Sequence, residues 1–394
     1  AIYLYYVKEG RMLIKSYHKI KLQQTNKQIL AIIKNNLSRH MKKHNFSAGP
    51  CILPQSVMQK ASEAIVNFNN LNLSLIEISH RSKDFVEVME NARNLSLELL
   101  GLQGKGYKAL FIHGGASMEF LMVAFNLLEK KSAYLNTGTW SDKAINEAKL
   151  LGNIVEVASS KDHNFNYIPK NYTIPSDVDY FHCTSNNTIF GTQINDFQKT
   201  AVVKVCDMSS DIFSRQMDFS QFDLIYAGAQ KNMGPAGTTL VIIKEDILGK
   251  VSRTIPSMLD YQVHIEKDSM YNTPAVFPVY VSMLTLEWLK NLGGISEIEK
   301  INNKKAELLY SEIDKNPLFK GFVSQKEDRS KMNATFNLTD SSLENQFNTL
   351  WTEAGINGLK GHRSVGGFRA SMYNALPLES VQVLVDVMKE LERT

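Results

Sequence analysis

The chain has 394 residues, 43% of them hydrophobic and 21% charged, which allows two domains with a large buried core. No apolar run approaches the ~20 residues of a membrane span, and Cys51, Cys183 and Cys206 lack any CxxC spacing, so membrane, disulfide and zinc classes are set aside. No metal is expected, and a reducing cytoplasm fits. The net charge of +4 misleads, because residues 1–40 hold eight of the 44 Lys and Arg but only one of the 40 Asp and Glu. The remainder is mildly acidic and offers no basic footprint for nucleic acid.

In chain order, residues 1–40 look foreign to the rest of the chain. They begin with Ala1 and are rich in Lys, Asn, Gln and Ile, whereas Met41-Lys-Lys-His-Asn-Phe-Ser reads as a natural start. Residues 1–43 are therefore expected to be a poorly ordered extension, read as translated upstream sequence or a cloning scar in preference to a transit peptide. Ile/Leu spacing still allows a helix over 23–35. Beyond it, Pro54 opens a helix over 54–65, and 82–100 forms a longer amphipathic helix ended by Gly101. Short β runs then alternate with helices: 108–113 with 118–128, 133–136 with 142–151, followed by runs at 153–157, 180–184, 201–207, 224–227 and 238–243. This alternation predicts a mostly parallel, doubly wound α/β sheet, with ligands outside the carboxyl ends of its strands. Helices over 274–292 and 296–316 follow, then a strand, helix, strand and helix over 332–338, 342–354, 368–372 and 378–391. These last elements read as a smaller α+β domain.

The most informative stretch is Tyr226-Ala-Gly-Ala-Gln-Lys231-Asn-Met-Gly-Pro235. It places Lys231 in a glycine-rich turn between two core strands, where a flat ligand can approach the backbone. A desolvated ε-amine loses its proton readily and condenses with an aldehyde, the way pyridoxal phosphate is held. Asp207 ends the preceding strand, where a carboxylate could keep a pyridine nitrogen protonated; a helix cap is its plainer reading. His113-Gly-Gly-Ala-Ser117 follows a strand and opens a helix, so its free backbone N–H groups suit a phosphate. Trp140, at the next strand-to-helix junction, could stack on a ring or simply pack the helix start. Thr188 is a further strand-end hydroxyl. Gly104-Lys-Gly-Tyr-Lys-Ala109 matches GxGxxA but precedes its strand, and no GxxxxGK[ST] occurs, so nucleotide-binding readings fail.

The runs Asn45-Phe-Ser-Ala-Gly-Pro50, Ile78-Ser-His-Arg-Ser82, His113-Gly-Gly-Ala-Ser117, Ala227-Gly-Ala-Gln-Lys-Asn232, Tyr271-Asn-Thr-Pro-Ala275 and His362-Arg-Ser-Val-Gly-Gly367 together resemble the phosphoserine aminotransferase family. They run in order from about residue 44 to the end. The resemblance implies a pyridoxal-phosphate transferase of fold type I. It would move an amino group from glutamate to 3-phosphohydroxypyruvate in serine synthesis; the four-carbon phosphate of pyridoxine synthesis stays open as a second substrate. It implies a segment 44–56 joining the small domain, a large cofactor domain over 57–295 and a small domain over 296–394. Lys231 would carry the cofactor and shuttle the proton, Asp207 would pair with the pyridine nitrogen, Trp140 would stack on the ring and Thr188 would bond near the ring hydroxyl. Ala116, Ser117 and Gln230 would hold the phosphate, with Asn272 and Thr273 arriving from the second subunit of a homodimer with shared sites. His80, Arg81, His362 and Arg363 would meet substrate anions, Arg363 taking the α-carboxylate and the His80–Arg81 pair the distal anion.

One departure is Ser117, where some members of the family carry an arginine that assists the distal anion. His80 and Arg81 must then do more, or another basic residue compensates. Two rival readings remain: a desulfurase or other aminotransferase of the same fold, and a silent cofactor-binding homologue.

Overall fold

In a computed structural model of the protein, residues 43–393 are described, and those from 44 onward form one compact unit. The expected extension and the helix over 23–35 lie outside the described residues. The central sheet has the order β2-β8-β7-β6-β5-β3-β4, built from Tyr107–Ile112 (β2), Lys131–Asn136 (β3), Asn153–Ser159 (β4), Phe181–Thr184 (β5), Lys204–Asp207 (β6), Leu224–Gly228 (β7) and Thr239–Lys244 (β8). All neighbours pair in parallel except β8, which runs against both β2 and β7. The expectation of a mostly parallel sheet is met, with one reversed strand. Its reversal follows from the connection 229–238, which contains no helix and so cannot make the crossover that parallel pairing requires.

Alternation along the strands sends side chains to two apolar layers. Phe111, Leu135, Phe181, Ile225 and Leu240 face one layer, under α1 (Gln55–Val66), α2 (Lys83–Leu99) and α6 (Val276–Asn291). Leu110, Tyr134, Val205, Tyr226 and Val241 face the other, under α3 (Gly115–Leu127), α4 (Thr139–Ala148) and a short helix missed in the sequence, α5 (Tyr261–Glu266). Each fully buried aliphatic side chain contributes about 1.5–3 kcal/mol. Helix ends follow their sequence signals: Gly101 takes φ 64° just after α2, where its lack of a Cβ makes a left-handed turn cheap.

A second apolar cluster is centred on Phe319, Phe336, Phe347 and Phe368, whose rings meet edge-on or stacked at 4.8–5.9 Å. It is framed by the antiparallel sheet β12-β10-β9, made of Phe368–Ser371, Asn333–Leu338 and Phe319–Gly321, and by α8 (Glu344–Glu353) and α9 (Leu378–Arg393). Phe46 and Ile52 pack into this cluster, and His44–Asn45 (β1) pairs with Ile356–Asn357 (β11). Strand β9 and the β1–β11 pair were not foreseen, being too short to show a period.

Helix α7 (Gly294–Lys315) serves both clusters. Ile295 and Ile298 pack in the first, and Ala306, Leu309 and Ile313 in the second. Between them Lys305 is fully buried and donates to the carbonyls of Met372 (3.0 Å), Tyr373 (2.8 Å) and Leu376 (3.2 Å). Three acceptors match the three N–H groups of an ammonium, while burial pulls the amine's pKa down to about 7.

Candidate active site

The strand ends that follow the sheet's common direction converge on one cavity of about 430 Å³. Its lining includes Gly114–Ser117 after β2, Trp140 after β3, Thr184 and Thr188 at and beyond the end of β5, Asp207 at the end of β6, and Gln230 and Lys231 after β7. This is the crevice position that an open α/β sheet leaves for ligands.

Lys231 is held by its own turn. The Ala229 carbonyl accepts from the N–H groups of Lys231 (2.8 Å), Met233 (3.3 Å) and Gly234 (2.7 Å), which fixes the backbone under the side chain. Gly49 lies beside the lysine stem: a Cβ there would sit 3.4 Å from Lys231 Cγ, on a backbone with φ 141°. The amine donates to Thr188 Oγ1 at 2.8 Å and stands 6.0 Å from the centre of the Trp140 ring. Burial pushes its pKa down to about 8, with Asp207 opposing the shift and Arg369 reinforcing it. An amine so tuned is available as a nucleophile and as a proton carrier near neutral pH.

Asp207 is buried, and its Oδ1 accepts from Ser209 N (2.9 Å) and Ser209 Oγ (2.6 Å). Among the described residues no donor reaches its Oδ2. Burial raises its pKa while Ser209 and Lys231 lower it, so a cationic partner on the cavity side would complete its environment. At the start of α3, Gly114 takes φ 106° and no side chain caps the helix, leaving its first N–H groups open to the cavity. A Cβ on Gly114 would lie 2.3 Å from Met118 Cβ, so glycine is required there.

The residues fit a flat, phosphorylated aromatic ligand. Trp140 Nε1, Thr184 Oγ1 and Arg369 Nε are all buried without a hydrogen-bond partner among the described residues, and all three side chains line this cavity. Such orphans are rare in a finished interior.

Of the residues expected from the sequence, Ala116, Ser117, Trp140, Thr188, Asp207, Gln230, Lys231 and His362 line the cavity. Asn272 and Thr273 do not; the Thr273 carbonyl instead meets His113 Nε2 at 2.9 Å. His80 and the exposed Arg81 touch each other at 3.5 Å on an outer loop, away from this cavity. Arg363 is exposed and does not line this cavity either, whereas the residue before it, His362, does. The guanidinium that does line the cavity is Arg369, the second residue of β12, whose Nη1 donates to the Thr188 carbonyl at 3.1 Å. No carboxylate pairs with it among the described residues. Sequence reasoning missed Arg369, although a lone charge inside Phe368-Arg-Ala-Ser-Met372 was the available signal. Thr184 and Ser209 were missed as well, since single hydroxyl residues carry no pattern.

A desulfurase reading requires a cysteine at the cavity, and none of the three cysteines lines it; Cys183 and Cys206 are buried in neighbouring strands. Comparison with known proteins agrees with the geometry. The family model of class-V aminotransferases matches residues 43–384. A phosphoserine aminotransferase of Flavobacterium psychrophilum is 70% identical over 354 residues, covering 89% of this chain and 99% of that protein. One from Flavobacterium johnsoniae is 68% identical over the same shares. Among solved structures, the phosphoserine aminotransferase of Bacillus circulans subsp. alkalophilus superposes with a TM-score of 0.86 at 42% identity, over 89% of this chain and 99% of that one. That of Trichomonas vaginalis, solved with pyridoxal phosphate bound, gives 0.84 at 35% identity over 88% and 100%. With its lysine, aspartate and open helix start gathered at one cavity, the chain belongs to the class-V aminotransferases, pyridoxal-phosphate-dependent transaminases, in their phosphoserine aminotransferase branch.

Proposed function

We propose that the protein transfers the amino group of glutamate to 3-phosphohydroxypyruvate, giving phosphoserine and 2-oxoglutarate. The observation that carries the reading is a lysine amine lowered to about pH 8 sharing one cavity with an arginine that has no acidic partner. When bound, pyridoxal phosphate supplies an aldehyde for amines and a ring that draws electrons from the substrate's α-carbon.

The chain's own residues do the rest. The first N–H groups of α3, with Ser117 and Gln230, would hold the cofactor phosphate, Trp140 would cover the ring, and Thr188 would bond at its hydroxyl. Asp207 Oδ2 would keep the pyridine nitrogen protonated. Lys231 Nζ would take and carry the proton of the substrate's α-carbon, a task suited to an amine titrating close to ambient pH. Arg369 is the better candidate for the α-carboxylate than Arg363, since it lines the cavity and carries a planar fork of donors. His362 would reach the distal phosphate or γ-carboxylate from the rim.

We further infer a homodimer in which His80, Arg81, Asn272 and Thr273 complete the partner's site. In support, these residues stand outside their own cavity, and Ile65, Val66, Leu71, Leu73 and Ile76 expose an apolar surface on α1 and the loop after it. The three unpaired cysteines suit a reducing compartment, and we assign the enzyme to the cytoplasm. Among the described residues no helix is long and apolar enough to cross a membrane.

The test is a half-reaction titration. Glutamate alone should convert the visible absorbance of the cofactor-loaded enzyme, and 3-phosphohydroxypyruvate should restore it in stoichiometric amount. Restoration by pyruvate but not by the phosphorylated acid would refute the substrate assignment.

A further inference from the structure

The loop 361–367 is built around His362. The His362 carbonyl accepts from Val365 N (2.9 Å) and Gly366 N (2.8 Å), and Gly361 N donates across the loop base to Gly367 O at 2.8 Å. Gly367, at φ 57°, leaves no room for a Cβ, which would lie 2.0 Å from Asn337 Oδ1; the loop is therefore seated on β10. Within this frame Ser364 turns back on the imidazole. Its N–H donates to His362 Nδ1 at 3.2 Å, and its hydroxyl lies 2.7 Å from the same nitrogen.

A ring nitrogen that accepts from a backbone N–H carries a lone pair, so in the neutral imidazole the proton belongs on the other nitrogen. His362 lines the cavity, and its Nε2 has no partner among the described residues. We propose that Ser364 is a positioning residue that locks His362 as a neutral Nε2–H donor for the distal anion of the substrate. This rests on the reading that His362 meets that anion. Charge for the anion then comes from arginine, while His362 contributes a directed N–H. Burial, with the guanidinium groups of Arg369 and Arg363, holds the imidazole below its ordinary pKa and so keeps the free loop in the same neutral form.

The consequence is an anion contact that does not titrate where histidine usually does, between about pH 6 and 8. Two measurements test it. In protein labelled with nitrogen-15 histidine, the His362 signals should report the Nε2–H tautomer in the parent, and a mixture of tautomers in Ser364→Ala, which loses the hydroxyl at 2.7 Å and keeps only the longer 3.2 Å N–H contact to Nδ1. In steady-state assays with O-phosphoserine as amino donor, Ser364→Ala should raise KM about three- to tenfold at unchanged kcat, as expected for one lost hydrogen bond. Ser364→Thr should restore both readouts, and alanine as donor, lacking a distal anion, should be indifferent to all variants. A parent His362 found as Nδ1–H, or a Ser364→Ala protein with unaltered tautomer and KM, overturns the proposal. If His362→Ala leaves the KM for O-phosphoserine unchanged, the underlying anion reading fails with it, and the spectrum still shows separately whether Ser364 sets the tautomer.

Discussion

The floor of the cavity and its rim are built on opposite principles. The floor carries Lys231, Asp207 and Thr188 on strand ends and tight turns, each bonded to a neighbour: the amine to Thr188, the carboxylate to Ser209. Of the basic residues expected to meet substrate anions only His362 stands at the rim, while Arg363, His80 and Arg81 lie outside this cavity on surface loops, bonded mainly to residues one or two positions away. Chemistry that recurs identically in each turnover is placed where packing holds it to a fraction of an ångström. On the proposed reading, recognition of two substrates of different length would by contrast sit on loops that can adjust to a phosphate or a carboxylate.

The comparison can be broken first at its firmest point. Lys231→Ala should abolish transamination, a loss of several orders of magnitude, while the protein remains folded; borohydride reduction of the parent should label Lys231 and no other lysine, as peptide mapping would show. A mid-sized contrast separates floor from rim. Removing one partner of a buried charge-assisted contact costs on the order of 2–5 kcal/mol, so Arg369→Ala should depress kcat/KM for glutamate, phosphoserine and alanine alike. Arg81→Ala should instead penalise glutamate and phosphoserine and spare alanine. Equal losses on all three donors for Arg81→Ala would remove the outer loop from substrate recognition.

The smallest effect is on stability. The folded amine of Lys231 titrates at about 8, against an unfolded value of roughly 10.4, so the folded state binds the proton less well. That cost is fully present below pH 8 and is relieved as pH rises towards 10.4, because only the unfolded amine then remains protonated. Cofactor-free Lys231→Met should therefore be more stable than the parent at pH 7, on the order of 1–3 kcal/mol. The gap should narrow above pH 8 in urea titrations; a gap independent of pH would assign it to packing.

Floor and rim were also unequally legible in the sequence. Lys231 and Asp207 stood out because apolar strands end at them, and strand ends are where an α/β sheet presents its ligands. The direction of β8 could not be read from an apolar run, although the helix-free connection before it held the clue. Arg363 drew attention by standing next to His362 in a polar, glycine-rich loop, whereas Arg369 was hidden inside the strand Phe368–Ser371. Sequence proximity favoured the exposed arginine; the fold brings the strand residue to the cavity, and of the two adjacent loop residues only His362 lines it. Helix α7 was expected over 296–316, but its service to both clusters escaped for a related reason. A boundary drawn near 295 cuts a composition shift, but the helix that begins there buries one end in each apolar cluster.

The turn beneath Lys231 limits how the enzyme can move its reactive amine. Three N–H groups converge on the single Ala229 carbonyl, so the main chain there has no slack to take up. If Lys231 holds the cofactor as proposed, leaving and regaining that bond would be a swing of the four-carbon stem about its own torsions, between staggered wells. Gly49 leaves the stem its sweep. The stroke of the catalyst is thus set by one side chain's rotamers, and the return stroke starts from an anchor that has not shifted.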